Sequence, residues 1–313
     1  MDLFSLRLIP ESPWLTPWQA DTLSGLICWA AVRRHGGDFV RSEILDAAMA
    51  NGPRFVLSDA FPGDYLPVPA ALRLTERPAN ERKALKRAKW LKRADFIRAQ
   101  RGEPTPVADM IAEDGIRSYT QLRNNIARGN NAGLRRGGLF SKEEWFLRKD
   151  IPYLTIYARI ETDFVDTFRE LMTELATWGF GADASAGKGQ FHLHPNLDSA
   201  DWLDEASRDG NGCVVLSSFQ PAATDPTEGS WDAFTKYGKL GPDFGLENVF
   251  KRPLVLLRPG ACFFAPLSRR WLGRAIPMHD LLSTDVAEDL SAQAAHVCHL
   301  AFGLSVPMNL PQR

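Results

Sequence analysis

The chain has 313 residues, of which 44% are hydrophobic and 24% are charged, and its formal net charge at pH 7 is −1. This is the composition of a globular protein long enough for two domains. No run of about 18 consecutive apolar residues occurs, so we expect no membrane-spanning helix. The N-terminal residues lack a basic lead and a long apolar run, which indicates a strand and not a signal peptide, and we expect a cytoplasmic protein.

The N-terminal elements are predicted from hydrophobic spacing. Residues 3–9 alternate as a strand does, and Asp21 with Thr22 offers an N-cap for a helix that runs to Ala31. A short helix fits residues 43–50, and a strand at 55–57 precedes a proline-rich turn at 61–67.

A basic segment at residues 82–101 holds nine of the 37 basic residues and one acid, Asp95. Its high helix propensity predicts a helix, with Leu85, Ala88 and Leu91 in a narrow apolar stripe. Such a concentration of charge suits an anion-binding patch, and the interleaved aromatic residues could stack on bases. A solvated helix face is an equally good interpretation, and docking onto an acidic protein neighbour is a third.

The C-terminal part begins with a strand at residues 153–160, followed by a helix of apolar residues at helical spacing. Trp178 ends that helix and Gly179 caps it. Further strands are predicted at 191–194, 214–219, 254–258, 262–265 and 297–304.

The order of strand, helix and strands occurs twice, which predicts an α+β protein of two ferredoxin-like, RRM-type βαββαβ domains with antiparallel sheets and a glycine-rich loop. We predict an N-terminal domain over residues 1–195, with a basic helical insertion at about 76–106, and a mostly β domain over 196–313. The open sheet faces and loops of such domains bind single-stranded RNA.

The glycine-rich loop is the sharpest motif, with the sequence GFGADASAGKGQF at residues 179–191. Glycines allow positive φ, successive unpaired N–H groups form anion nests, and Lys188 adds positive charge, so RNA phosphates fit this site. A nucleotide-binding P-loop would need GxxxxGK before Ser or Thr, between a strand and a helix. Here Gly189 follows the lysine and the order is helix then strand, so we expect no ATP site. A simple connection is the alternative.

Two weaker basic motifs occur at residues 123–128, RNNIAR, and at 236–241, KYGKLG. Polar, basic loops of this kind suit contacts with a nucleic-acid backbone. For the first motif alone an ordered surface loop is just as good an interpretation, and the second, in which two lysines flank a tyrosine, is a weak signal by itself. The sequence RRGGLF at residues 135–140 extends the first motif.

Catalytic and metal sites are not indicated by the sequence. His192 and His194 share a strand face, but zinc would need further ligands at tight spacing. His35 ends a helix, where a cation favours the helix dipole, and general acid–base chemistry on RNA is the competing interpretation. The four cysteines form no CxxC pair and are expected to be buried and reduced. We expect no metal and no cofactor.

The motifs in their order resemble the RAMP superfamily of CRISPR proteins, which shares a glycine-rich loop before a final strand. Their resemblance is strongest to subunit four of the type III-A Csm effector complex. In the segment at 123–128, Ala127 stands where that subunit has an acid, so any role of the acid is in doubt. The residues that carry the resemblance are 22–30 (TLSGLICWA), 57–62 (LSDAFP), 65–69 (YLPVP), 123–128, 236–241 and 259–261 (PGA).

The resemblance implies a non-catalytic subunit that caps the repeat-derived 5′ tag of the CRISPR RNA, between the large polymerase-like Cas ten subunit and the backbone RAMP subunit. An endoribonuclease that processes precursor RNA and a pure protein scaffold are the alternatives. The residues predicted to contact RNA are Ser24, Lys86, Lys89, Arg93, Arg123, Asn124, Arg128, Gly181, Ser185, Gly187, Lys188, Gly189, Gln190, Lys236, Tyr237 and Lys239.

Overall fold

The structure, a computed structural model, describes residues 1–75, 78–125, 138–241, 250–265, 270–283 and 296–311. Its α-helices are α1 (Ala20–His35), α2 (Gly37–Phe39), α3 (Asp46–Met49), α4 (Ala79–Arg87), α5 (Arg93–Gln100), α6 (Val165–Trp178) and α7 (Trp202–Glu205). Its strands are β1 (Asp2–Pro10), β2 (Phe55–Leu57), β3 (Phe61–Pro62), β4 (Tyr65–Pro67), β5 (Trp90–Lys92), β6 (Ile116–Asn124), β7 (Leu139–Leu147), β8 (Leu154–Ile160), β9 (Phe191–Leu193), β10 (Asp198–Ser199), β11 (Gly212–Val215), β12 (Gly229–Ser230), β13 (Ala233–Lys236), β14 (Leu254–Leu257), β15 (Cys262–Phe263), β16 (Trp271–Pro277) and β17 (Cys298–Met308).

The first sheet is antiparallel and is built around the pair of β1 and β8. β2 and β3 follow one another along the outer edge of β8, and β9 and β10 do the same along β1. Helix α1 connects β1 to β2, and α6 connects β8 to β9. The chain therefore follows a βαββαβ path, with the last strand beside the first.

Burial explains why these elements form one layered core. Every residue of β8 is buried, as expected for a central strand covered on both faces. The helix α6 buries Phe168, Leu171, Met172 and Leu175, and α1 buries Leu23 and Ile27 in the same cluster. The predicted strand at 3–9 and the predicted helix up to Trp178 are confirmed.

The second sheet is also antiparallel and has the order β12–β15–β11–β17–β16. Its residues Val214, Leu304 and Val306 belong to the same core cluster as the first sheet. A separate two-stranded ladder of β13 and β14 packs through Leu254 and Leu256 on a smaller cluster. The structure thus confirms a mixed α+β protein with several antiparallel sheets.

Helix α1 begins earlier than predicted, and the predicted cap is wrong. The helix starts at Ala20, and the backbone N–H of Ala20 donates to Oδ1 of Asp59 at 2.9 Å. A carboxylate 39 residues away therefore caps the helix, and Asp21 lies inside its first turn. Local sequence cannot reveal a cap that tertiary structure supplies.

The basic segment is not one helix. It forms α4, then strand β5, then α5. Strand β5 pairs with β4, with Leu66 opposite Leu91, and Leu91 is fully buried. The strand pairing and this burial outweigh the helix propensity of the segment. Likewise, the helix predicted at 43–50 is a π-helical turn (Val40–Leu45) followed by α3.

Strands β6 and β7 form a long antiparallel hairpin, which was not predicted from the sequence. The hairpin is tied to the first layer by two backbone hydrogen bonds between Trp14 and Trp145, with N···O distances of 3.0 and 2.8 Å. Among the described residues, no helix is both long and apolar enough to cross a bilayer.

Candidate RNA-binding surface

The glycine-rich loop lies between α6 and β9 and packs on the connection from β1 to α1. Trp18 of this connection is buried and stacks on Phe180, with ring centroids 3.8 Å apart. The amide of Ala182 donates to Thr16 Oγ1 at 3.0 Å. Within this loop, the backbone has positive φ at Gly179, Gly181, Asp183, Gly187 and Gly189. The loop is thus an ordered structure anchored below, with Ser185 and Gly187 exposed at its apex.

The expected nest of unpaired amides is wrong for the second half of the loop. The N–H groups of Gly187 and Lys188 donate to the carbonyls of Ala184 and Asp183. Those of Gly189 and Gln190 donate to Pro13 O at 2.9 Å and Ser12 Oγ at 2.8 Å. These donors close the loop on the protein itself, so RNA contact here remains a prediction for the exposed apex and side chains.

The β6–β7 hairpin brings two of the predicted motifs together through a buried carboxylate. The side chain of Glu144 is 3% exposed, and its two oxygens accept from Lys188 Nζ at 2.8 Å and from an Arg123 guanidinium nitrogen at 2.9 Å. A second ion pair joins Lys142 of the hairpin to Asp183 of the loop. Three cations and two carboxylates therefore meet at this junction.

Sequence reasoning missed Glu144, Lys142 and Asp183 because it missed the hairpin. The aromatic and β-branched residues of 116–124 were a usable strand signal. Asn124 lies exposed at the end of β6, whereas Arg128 lies outside the described residues.

Ser24, which was predicted to contact RNA, lies within helix α1. Its side chain is buried, and its hydroxyl donates to the Ala20 carbonyl at 2.8 Å. This back-bond occupies the hydroxyl hydrogen, so the burial of Ser24 argues against its direct contact with RNA.

Lys236 lies in a buried polar network at the start of α1. Its Nζ contacts Asp21 Oδ1 at 2.6 Å and Thr22 Oγ1 at 2.8 Å. Nε2 of His299 lies 3.1 Å from the other oxygen of Asp21, and Lys251 Nζ lies 3.4 Å from His299 Nδ1. Burial alone would raise the pKa of Asp21, but contacts with His299 and Lys236 outweigh it and hold that pKa below its ordinary value. Lys236 therefore ties strand β13 to α1, which does not favour a phosphate contact.

The pKa of Lys251 allows the burial of this network to be tested by varying the pH. Burial lowers its pKa from 10.5 to about 8, since the low-dielectric surroundings disfavour the ammonium. Between pH 8 and 10.5 the folded state has lost this proton while the unfolded state keeps it, so the stability contributed by this residue rises with pH. We expect Lys251→Met to stabilise the protein at pH 7 by on the order of 2 kcal/mol.

This stabilisation should shrink as the pH rises from 8 towards 10.5. The measurement is the difference in the free energy of unfolding between the variant and the wild type. Burial raises the pKa values of four thiols to about 12, so these thiols lower the stability of both proteins as the pH rises above 9. The difference removes this common contribution. A difference that stays constant from pH 7 to pH 10 contradicts the assignment.

Two side chains of the basic segment contact residues outside the glycine-rich loop. Lys89 forms an ion pair with Asp114 at 2.5 Å, and the Arg93 guanidinium lies 4.0 Å from the ring centroid of Trp202. Lys86 is exposed on α4. These contacts are distinct from those of the glycine-rich loop, so among the described residues no shared contact joins the two groups of predicted residues.

No group of three or more His, Cys, Asp or Glu side chains arranged to hold a metal occurs in the described part of the chain. At the end of α1, His35 Nε2 lies 3.5 Å from Glu170 Oε2, and Arg34 pairs with the same carboxylate. Within the described residues His35 therefore lies beside the ion pair of Arg34 and Glu170, between α1 and α6.

Of the comparisons with known proteins, only the comparison with solved structures gives matches. No family model matches the sequence, and no curated protein matches it either. A chain of the Csm1–Csm4 cassette in complex with AMPPNP matches with a TM-score of 0.63 and 19% identity, covering 100% of both chains. The cassette in complex with cA3 gives 0.61 and 20%, again over 100% of both chains.

A chain of the Csm3–Csm4 subcomplex in the type III-A CRISPR-Cas interference complex matches with a TM-score of 0.58 and 12% identity, covering 98% of this chain and 99% of that one. Csm4 is the subunit common to these assemblies. The chain therefore has, over its full length, the fold of the Csm4 subunit.

Proposed function

We propose that this protein is a non-catalytic, RNA-binding subunit of a type III-A CRISPR effector complex that caps the repeat-derived 5′ tag of the guide RNA. The observation that carries the proposal is the full-length match to structures solved with Csm1 and with Csm3. The protein would bridge a large Csm1-type subunit, which is the polymerase-like Cas ten subunit, and a backbone subunit of the Csm3 type.

The path of the first sheet supports the RNA-binding part of the proposal. A βαββαβ chain with its fourth strand beside its first is the ferredoxin-like, RRM-type arrangement. We propose this architecture for residues 1–195, and a second, mostly β domain of the same type for 196–313. Domains of this type recognise single-stranded RNA through their sheets and loops. Because β8 is covered on both faces here, we assign the RNA contact to the loops at the edge of the sheet.

The candidate surface fits a backbone ligand. The loop apex at Ser185 and Gly187 is exposed, and it lies next to the junction where Arg123, Lys142 and Lys188 outnumber Glu144 and Asp183 by one charge. A surplus of positive charge beside an exposed glycine allows phosphates to approach the protein closely.

The experiment is co-expression of this chain with Csm1-type and Csm3-type partners and a CRISPR array. We expect the purified complex to contain guide RNA whose 5′ tag is protected from nuclease, and to lose that protection when this chain is omitted. The same complex with an unprotected tag would contradict the capping role.

The alternative of an endoribonuclease is tested on the isolated protein with repeat RNA in EDTA. We expect no site-specific cleavage, because the sequence shows no convincing catalytic constellation around His35. Cleavage that His35→Ala abolishes would establish the enzyme instead. Complete assembly without any RNA contact by this chain, measured by crosslinking, would establish the scaffold.

A further inference from the structure

The segment that continues β13 alternates regularly between the protein interior and solvent. Phe234, Lys236 and Leu240 turn inwards, where Phe234 and Leu240 pack on the smaller core cluster and Lys236 meets Asp21. Tyr237 and Lys239 turn outwards, and the ring of Tyr237 is 74% exposed. The period of two, typical of extended chain, thus assigns the lysines at 236 and 239 to opposite faces.

A second aromatic residue joins Tyr237 and Lys239 on the outer face. Phe250 is paired with Lys239 in an antiparallel bridge, and the N–H of Lys251 donates to the Gly238 carbonyl at 3.0 Å. Directly opposed residues of an antiparallel pair share a face. Accordingly, Lys239 Nζ lies 4.9 Å from the centroid of the Phe250 ring, and Phe250 is 60% exposed.

We propose that Tyr237, Phe250 and Lys239 form a stacking platform for the unpaired bases of a single-stranded RNA. The inference rests on the proposed RNA-binding function and assigns to it a surface apart from the glycine-rich loop. Aromatic rings that lie exposed on an extended ladder can stack on any base, since every base has a π-face. The ammonium of Lys239, beside the ring, neutralises the phosphate that a stacked nucleotide brings with it.

Charge and composition favour RNA over a protein partner on this face. Two rings flanked by a lysine match the combination of stacking and phosphate neutralisation that single strands require. A stable protein interface would instead bury about 800 Å² per partner, or roughly 20–30 residues a side. The three platform residues, together with Val255 exposed opposite Thr235 on the same ladder, are a small fraction of that number.

The experiment measures binding of the full-length protein to a single-stranded oligoribonucleotide by fluorescence anisotropy. We expect the double variant Tyr237→Ala with Phe250→Ala to bind at least tenfold more weakly, since one stacked base contributes on the order of tenfold or more in affinity. Its salt dependence should be unchanged because no phosphate contact is lost. Lys239→Ala should instead lower the salt slope by about 0.7. Tyr237→Trp, with Phe250 retained, should preserve binding.

Leu74→Ala is the matched control, because Leu74 is also 60% exposed and lies outside the platform. An oligonucleotide with abasic sugars is the second control, and its affinity should not change between wild type and the double variant. Wild-type binding that survives in the double variant overturns the platform and leaves the proposed function standing. Absence of any RNA binding by the wild type overturns both. Unchanged RNA affinity with failed assembly of the complex makes the face a protein interface and overturns the platform.

Discussion

Substitution of Gly189 by alanine is expected to destabilise the protein more than any other single methyl added to the glycine-rich loop. A Cβ at this position would lie 2.0 Å from the Phe180 carbonyl oxygen, which is backbone and cannot swing aside. The residue also has φ of +64°, where an L side chain is strained. We expect a loss of about 3 kcal/mol in the free energy of unfolding, measured by chemical denaturation.

Gly187→Ala is the matched control two residues away. Gly187 has a similar φ of +81°, but nothing lies within 4 Å of its added Cβ. Backbone strain alone then costs about 1 kcal/mol. Equal losses in the two variants would mean that the contact of Gly189 with Phe180 is not close in solution.

Substitutions at Gly187 and Gly189 also distinguish an effect on protein stability from an effect on RNA binding. Because the added atom at Gly187 would face open space at the loop apex, Gly187→Val should weaken retention of guide RNA in the assembled complex after a salt wash, while most of the stability remains. Lys188→Ala is expected to have the milder effect on retention, since it removes a charge that already pairs with Glu144. Full retention in Gly187→Val would show that the apex does not touch RNA.

Removal of the Glu144 carboxylate is the second change with a large expected effect. Glu144→Ala leaves Arg123 and Lys188 without their shared partner at a junction where Glu144 is 3% exposed. Loss of one member of a buried ion pair costs about 3–5 kcal/mol. The two cations here are 32% and 20% exposed and can be partly rehydrated, so we expect a loss of about 2–3 kcal/mol.

Besides lowering the global stability, Glu144→Ala should increase local opening of the β6–β7 hairpin. Hydrogen exchange should quicken at the amides of β6 and β7, because the hairpin loses one of its two ion-pair links to the glycine-rich loop. It keeps the pair of Lys142 with Asp183 and its backbone bonds to Trp14. Glu143→Ala is the control, since Glu143 is exposed on the opposite face of β7, and it should leave both quantities unchanged. Similar losses in both variants would show that the junction does not hold the hairpin.

The sequence alone was enough to predict the elements whose pattern is local. The spacing of Phe168, Leu171 and Leu175 predicts α6, and a glycine after Trp178 ends it. The order of the motifs along the chain predicted the resemblance to subunit four of the Csm complex, and the full-length structural match confirms it at the level of the fold. These features depend on neighbours within a few residues, or on linear order, and both are visible in one sequence.

The partners of the charged side chains were decided only by tertiary structure. Lys236 and Lys239 occur in one short basic motif, yet the alternation of the chain buries the first against Asp21 and exposes the second beside Phe250. Similarly, Lys188 meets a carboxylate 44 residues away on a hairpin.

The sequence by itself thus determined the fold class, the glycine-rich loop and the segments rich in positive charge. It could not determine which cations are neutralised within the protein, or that the carboxylate of Asp59 caps helix α1. A charge is recognised in a sequence by residue type, but its partner is set by the distance between side chains that the folded chain brings together. Whether a lysine holds two strands together or remains available to RNA is therefore a property of the tertiary structure.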